Sequence, residues 1–211
     1  LSCSSIMLQY YGTWVKMDNI TWLGHASFML KGERIVYIDP FRIRPMEKAD
    51  IILITHGHYD HCSPEDVKRI SKADTIVIGP PDCACATKHL SPGEKLSIGT
   101  IVVEAVPAYN LNKDFHPKFN KWVGYIITIE GKRIYHAGDT DFIPEMRNLK
   151  DIDIALLPVG GTYTMTAEEA ADAANSFMPK IAVPMHYGKI VGGMNDAERF
   201  RSLFRGKTEL L

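Results

Sequence analysis

The stretch Leu53–Asp66, "LITHGHYDHCSPED", packs three histidines and an aspartate into the six positions 56–61. His56, His58, Asp60 and His61 all fall between Thr55 and Cys62. Side chains this close in sequence cannot surround a metal ion alone, so distant residues must complete any site they form. The flanks show how the cluster is held. Residues 49–56, "ADIILITH", are a continuous apolar run and read as a buried strand. Ser63 follows as a helix N-cap, Pro64 takes the first helical position, and Glu65 and Asp66 fill the first turn. The histidines therefore sit on a loop between a strand end and a helix start, where a rigid scaffold presents functional side chains.

Upstream, residues 20–30 and 33–39 are β-rich and separated by Lys31-Gly32, which predicts a hairpin. Downstream, strands are expected at 74–81 and 99–109, with a short helix at 82–90 and an irregular polar loop at 110–121. Residues 122–141 read as a second hairpin turning at Glu130-Gly131, its return strand ending at Asp139. A helix starts at "IPEMRNL", 143–149, and a strand follows at 151–161. Residues 166–177 form a helix opened by Thr166 and Glu169, a capping box. A strand at 180–188 reaches His186, and 195–204 form the last helix. Each half runs from a hairpin into alternating strands and helices. This order predicts an α/β sandwich of two mixed sheets with helices on the outer faces, and allows for an internal duplication.

Three apolar strands thus end in a metal-capable residue: His56, Asp139 and His186. Imidazole and carboxylate suit Zn²⁺, Mn²⁺ and Fe. A catalytic zinc keeps three protein ligands and an open position, so these three together with His58, Asp60 and His61 are too many for one such ion and fit two.

The 211 residues suit one domain, and 45% hydrophobic with 23% charged residues is ordinary for a globular chain. The net charge of −1, 24 Lys+Arg against 25 Asp+Glu, gives no basic surplus for nucleic acid or an anionic membrane. No stretch approaches the ~18–20 apolar residues of a membrane span. The cysteines, Cys3, Cys62, Cys83 and Cys85, include no C-x-x-C pair, which excludes a zinc ribbon. Cys83 and Cys85 are too close in sequence to pair with each other, so free thiols in a reducing compartment are expected. Residues 1–17 have two readings. They are an extension outside the core, with a single domain at 18–211 and a cytoplasmic protein. Alternatively, "LSC" ends an export signal and Cys3 carries a lipid anchor.

"THGHYDH" resembles the H-x-H-x-D-H motif of the metallo-β-lactamase superfamily. "WLGHASF", "IDPF", "YHAGDTD", "DIDIALLPVGGTYTM" and "PKIAVPMHYG" are similar, in order, to the branch holding L-ascorbate-6-phosphate lactonase and many metal-dependent hydrolases. The resemblance covers the chain from residue 19 onward. It implies a four-layer αββα sandwich with two divalent metal ions, Zn²⁺ first in order and Mn²⁺, Fe or Ni²⁺ as alternatives. His56 and His58 would hold the first ion, Asp60, His61 and His186 the second, and Asp139 would bridge them. The family's third histidine for the first ion is replaced by Asn110 in "PAYN", and His116 in "DFHPK" is the nearest substitute.

The implied activity is hydrolysis of a lactone, ester or phosphoester of a small substrate by a metal-activated hydroxide. Asp60 would act as the catalytic base. Asp39 in "IDP" and His25 in "GHAS" would support the ligands from behind, Asp39 by fixing a histidine tautomer. His136 would be packed or stand behind the ligands as well. Asn110, Lys118 and Tyr163 are the candidate substrate-binding residues, with Tyr109 beside them. Two other classes stay open at this point. One is a non-catalytic metal- or ligand-binding protein on the same fold, which the Asn110 departure favours. The other is a di-iron oxidoreductase, which would need a flavin partner. Relatives of this kind often self-associate, so a homo-oligomer is expected.

Overall fold

The computed structural model describes residues 16–17, 19–44 and 47–211. Two seven-stranded sheets face each other. The first contains β1 (Lys16–Met17), β2 (Ile20–Gly24), β3 (Ser27–Lys31), β4 (Ile35–Ile38), β5 (Ile51–Leu53), β6 (Ile76–Gly79) and β7 (Lys88–His89), in that order. The second contains β8 (Lys95–Ile98), β9 (Ile101–Pro107), β10 (Val123–Ile129), β11 (Lys132–His136), β12 (Ile154–Pro158), β13 (Ile181–Met185) and β14 (Lys207–Thr208). In each sheet the first four strands are antiparallel and the later pairings parallel. The two halves therefore repeat one topology.

Side-chain parity sorts the layers. Phe28, Leu30, Val36, Ile38, Ile51 and Leu53 point into the core between the sheets, where they meet Val103, Tyr125, Ile127, Leu156 and Val183. Their neighbours Met29, Tyr37, Ile52 and Ile54 face outward under α1 (Pro64–Ile70). On the second sheet, Ile126, Tyr135, Ala155 and Leu157 face α2 (Ala167–Phe177) and α3 (Met194–Leu203). Strands covered on both faces must be apolar on both, which is why they read as unbroken runs. Alanines 167, 170, 171, 173 and 174 are buried on α2, and their small side chains let that helix lie close to the sheet. The result is the expected αββα sandwich.

Several local expectations change. Residues 20–30 are two strands, not one, because the chain reverses at Gly24-His25, with φ of +100° and +55°. Residues 82–90 are turns followed by β7, not a helix. Pro80 and Pro81 open the segment, and single turn bonds from Cys83 N to Pro80 O and Ala86 N to Cys83 O replace a helical ladder. Residues 144–148 form only a 3-10 turn, and β11 stops at His136, before Asp139. β8 falls in residues 91–98, to which the sequence pattern assigns no element. Lys16 and Met17 pair with Thr21 and Ile20, so the sheet already includes the end of the expected extension. Cys3 and the rest of that segment lie outside the described residues.

Candidate metal centre

The strand ends of both sheets deliver the candidate ligands to one place. β5 leads directly into Thr55, His56 and the loop to His61, after which Ser63 caps α1 by accepting from Asp66 N. β11 leads through Gly138 to Asp139, and β13 ends one residue before His186. Gly138 has φ +63°, and a Cβ there would meet Val123 O at 2.9 Å, so this turn requires glycine. A Cβ on Gly160 would meet His186 O at 2.5 Å, which explains the small residue in "VGG".

Asp139 Oδ2 is the hub. His186 Nε2 lies 3.0 Å from it, His61 Nε2 3.3 Å, His116 Nε2 3.5 Å and His56 Nε2 4.0 Å. His61 Nε2, His116 Nε2, His186 Nε2 and Asp139 Oδ1 are buried without hydrogen-bond partners. Buried polar atoms are rarely left unpaired, and four converging here fit a cation site. The donor atoms fall into three overlapping groups: His56, His58 and His116; His25, Asp60, His61 and His186; and His56, His61 and Asp139.

Neighbours fix the orientation of these rings. Asp39, at φ +44° just past β4, accepts from Thr55 N and Thr55 Oγ1, each at 2.7 Å, and sits 2.8 Å from His61 Nδ1. That contact places the His61 proton on Nδ1 and turns the Nε2 lone pair into the site. His25 Nε2 is 3.0 Å from Asp60 Oδ2, and its ring centroid is 3.9 Å from that of His186. His25 thus touches Asp60 directly and stands among the donors of the second group. His136 bonds across the sandwich to Ala26 O at 2.9 Å and takes no place in the donor groups.

The electrostatics follow from burial and crowding. Burial pushes the Asp139 carboxyl up, but the His186 and His61 charges overcome it and hold it well below the usual range. Burial works against a charged His61, yet Asp139 and Asp39 raise it well above an ordinary histidine. Burial lowers His56, His58 and His25, and takes His116 down to about 4. Asp60 is lowered because its hydrogen bond to His25 and the His61 charge outweigh its burial. Neutral imidazoles and ionised carboxylates are the forms that bind metal, so His61 alone among these histidines must give up a proton, from Nε2, to serve as a ligand.

His116 lies among the other candidate ligands. The loop after β9 brings its Nε2 beside Asp139, while Asn110 stands behind it. Asn110 is 7% exposed, and its side chain is fully engaged: Oδ1 with His116, Nδ2 with Asp141 Oδ1 and Tyr163 O. Asn110, a candidate substrate contact from the sequence, has both ends of its amide committed to positioning the loop that carries His116. Lys118, another candidate substrate contact, lies on the surface. Its Nζ bonds Tyr109 Oη at 3.0 Å and pairs with Glu145 at 3.2 Å on the surface. Tyr109 is itself buried. Tyr163 remains half-buried at the rim, its ring edge-on to Phe115 at 4.7 Å.

Two residues escaped the sequence reading. Asp141, two past Asp139, accepts from Leu111 N and Lys113 Nζ and so ties down the loop that carries His116. Trp122 packs its ring 5.0 Å from His56, 4.8 Å from His58 and 5.5 Å from His116. The second carboxylate of "GDTD" was a usable signal for Asp141; nothing local marks Trp122.

A family profile described as the Beta-lactamase superfamily domain matches residues 19–186. The chain belongs to the β-lactamase superfamily. A metal-dependent hydrolase of Thermoplasma acidophilum is 36% identical to this superfamily member over 208 residues, covering 89% of this chain and 92% of the relative. The crystal structure of a candidate metal-dependent hydrolase from Parabacteroides distasonis is 39% identical, with TM-score 0.84 over 90% of this chain and 91% of the other. A candidate Zn-dependent hydrolase of the metallo-β-lactamase superfamily from Thermotoga maritima shares the fold, with TM-score 0.65 at 24% identity over 90% and 96% of the two chains. Among the described residues, no helix of this β-lactamase-superfamily chain is long and apolar enough to cross a membrane.

Proposed function

We propose that the protein is a metal-dependent hydrolase of a small lactone, ester or phosphoester, with a two-ion centre. His56, His58 and His116 would hold the first ion and Asp60, His61 and His186 the second, with Asp139 available to both. Zn²⁺ suits this imidazole-rich set, and Mn²⁺ and Fe remain compatible. The observation that carries the reading is the convergence of unpartnered His61, His116 and His186 Nε2 atoms around Asp139 Oδ2. The names of the similar Thermoplasma and Parabacteroides proteins, both metal-dependent hydrolases, support the reaction class.

When bound, the ions would supply Lewis acidity and bring the pKa of water toward neutrality. The chain's own residues do the rest. Asp60, ionised and held at 3.0 Å by His25, is oriented to take a proton from the attacking water. Asp39 keeps His61 in one tautomer, and Asn110 does the same for His116. Trp122 walls off the first three histidines. Tyr59, 67% exposed, and Phe115, 47% exposed, flank ligand positions and offer apolar contact to the non-reacting part of a substrate.

The test is a panel of lactones, carboxylic esters and phosphoesters, assayed with metal-loaded and chelator-stripped protein and with Asp60→Asn. Metal-dependent turnover that falls at least ~100-fold in Asp60→Asn supports the reading. A fully loaded protein that turns over none of the panel would support a binding role instead.

A further inference from the structure

Three of the four cysteines meet beside the histidine loop. Cys62 directly follows His61, while Cys83 and Cys85 lie on the turns between β6 and β7. Cys62 Sγ is 3.4 Å from Cys83 Sγ and 2.8 Å from Cys85 Sγ, and all three are free thiols. Three thiolates on a tetrahedral zinc would stand ~3.8 Å apart, given Zn–S bonds of ~2.3 Å. Both separations here are shorter. The nearer pair is instead about 0.8 Å longer than the ~2.05 Å of a covalent S–S bond. Access is graded across the cluster. Cys85 is half-buried, Cys62 is 9% exposed and Cys83 is 2% exposed.

We propose that Cys62 and Cys85 form a reversible dithiol–disulfide pair, a modification site distinct from the metal centre and closed by hydroperoxides. Cys85, the thiol that solvent reaches most readily, attacks the peroxide. An S–O bond forms, the O–O bond breaks, and the alcohol (or water, from hydrogen peroxide) leaves with the thiol proton. Cys62 then attacks the Cys85 sulfenic acid. The S–S bond forms, the S–O bond breaks, and water leaves with the second proton. In sum, two thiols and one hydroperoxide give one disulfide, one alcohol and one water. Cys83, the most buried of the three, is not consumed.

The linkage joins two loops that already bear on the metal centre. Cys62 N donates to His58 O at 2.8 Å. On the other loop, Asp82 accepts from Trp122 Nε1 at 2.6 Å, and Trp122 is the ring against His56, His58 and His116. A disulfide would therefore bolt the loop that braces Trp122 to the loop that carries His56–His61.

The experiment treats the purified full chain with a modest excess of hydrogen peroxide, blocks residual thiols, and maps the digest by mass spectrometry without reduction. The expected product is a Cys62–Cys85 cross-linked peptide, short of two hydrogens and restored by dithiothreitol. Cys83→Ser should give the same cross-link, and Cys85→Ser should abolish it. The proposal is overturned if Cys85 proceeds to sulfinic acid with no cross-link. It is also overturned if the only cross-links join Cys62 to Cys83, involve Cys3, or bridge two chains. None of these readouts depends on hydrolytic activity, so the outcome is independent of the proposed function.

Discussion

Asn110 Oδ1 lies 3.0 Å from His116 N and 3.2 Å from His116 Nδ1. One amide oxygen thus fixes both the backbone and the ring of the histidine six positions on, and Nε2 is left facing Asp139 at 3.5 Å. The resemblance leads one to expect a histidine at position 110. In this chain position 110 is an asparagine, and its side chain holds His116, whose imidazole lies beside Asp139.

Removing that hold should weaken metal binding without dismantling the fold. Asn110→Ala leaves His116 free to turn and strips Asp141 of a donor. The expected loss in metal affinity is ~10–100-fold, as for other groups that orient a ligand. Competition with a chromophoric chelator measures it. An unchanged affinity would remove Asn110 from the account of the site.

Asp39 ties Thr55 and His61 together from below and is fully buried. Asp39→Asn cannot accept at both side-chain positions, so it strands a Thr55 donor or the His61 Nδ1 proton. The expected cost is about 3 kcal/mol, read from the denaturant midpoint of the metal-free protein. A shift under ~0.5 kcal/mol, typical of surface changes, would contradict it.

Gly160→Ala tests how tightly β12 and β13 end together. The added methyl meets His186 O at 2.5 Å and Val191 Cγ2 at 2.6 Å, so one of the two turns must move. A destabilisation of about 1–3 kcal/mol is expected, with weaker metal retention because His186 is displaced. Thermal melting and metal titration of the variant check both parts.

Acid should destabilise the metal-free protein through His116. Burial holds its folded pKa at about 4, below the ordinary value of 6.5. Between these values the unfolded chain binds the proton and the folded chain does not. The stabilisation is therefore full above pH ~6.5 and is lost as pH falls toward ~4, amounting to roughly 3 kcal/mol. Chemical denaturation of metal-free wild type and His116→Gln across that range measures it. The variant should show a flatter pH dependence.

Much of this was legible in the sequence, for physical reasons that differ by element. The loop at 56–61 announces itself because its candidate ligands lie within six positions and follow a buried strand. Helix α2 announces itself through the Thr166/Glu169 capping box, which forms as read. The reversal at Gly24-His25 is hidden because His25, not a second glycine, takes a left-handed backbone. β8 is hidden because its edge position lets Lys95 and Ser97 face solvent, so it lacks the apolar density of its neighbours. Residues 82–90 look helical by composition, yet the proline pair and the packing of Cys83 and Cys85 against Cys62 keep them in turns. The contacts of Asp141 with Lys113, of His25 with Asp60 and of Trp122 with Asp82 join residues 28, 35 and 40 apart, which no local pattern encodes.

The proposed function requires that two ions share Asp139 and that His116 completes the first site. Elemental analysis of protein purified without chelators, on wild type and His116→Ala, tests it most directly. The account predicts about two divalent ions per chain in wild type and about one in the variant. One ion per chain in both proteins would contradict it and place His116 outside the metal centre.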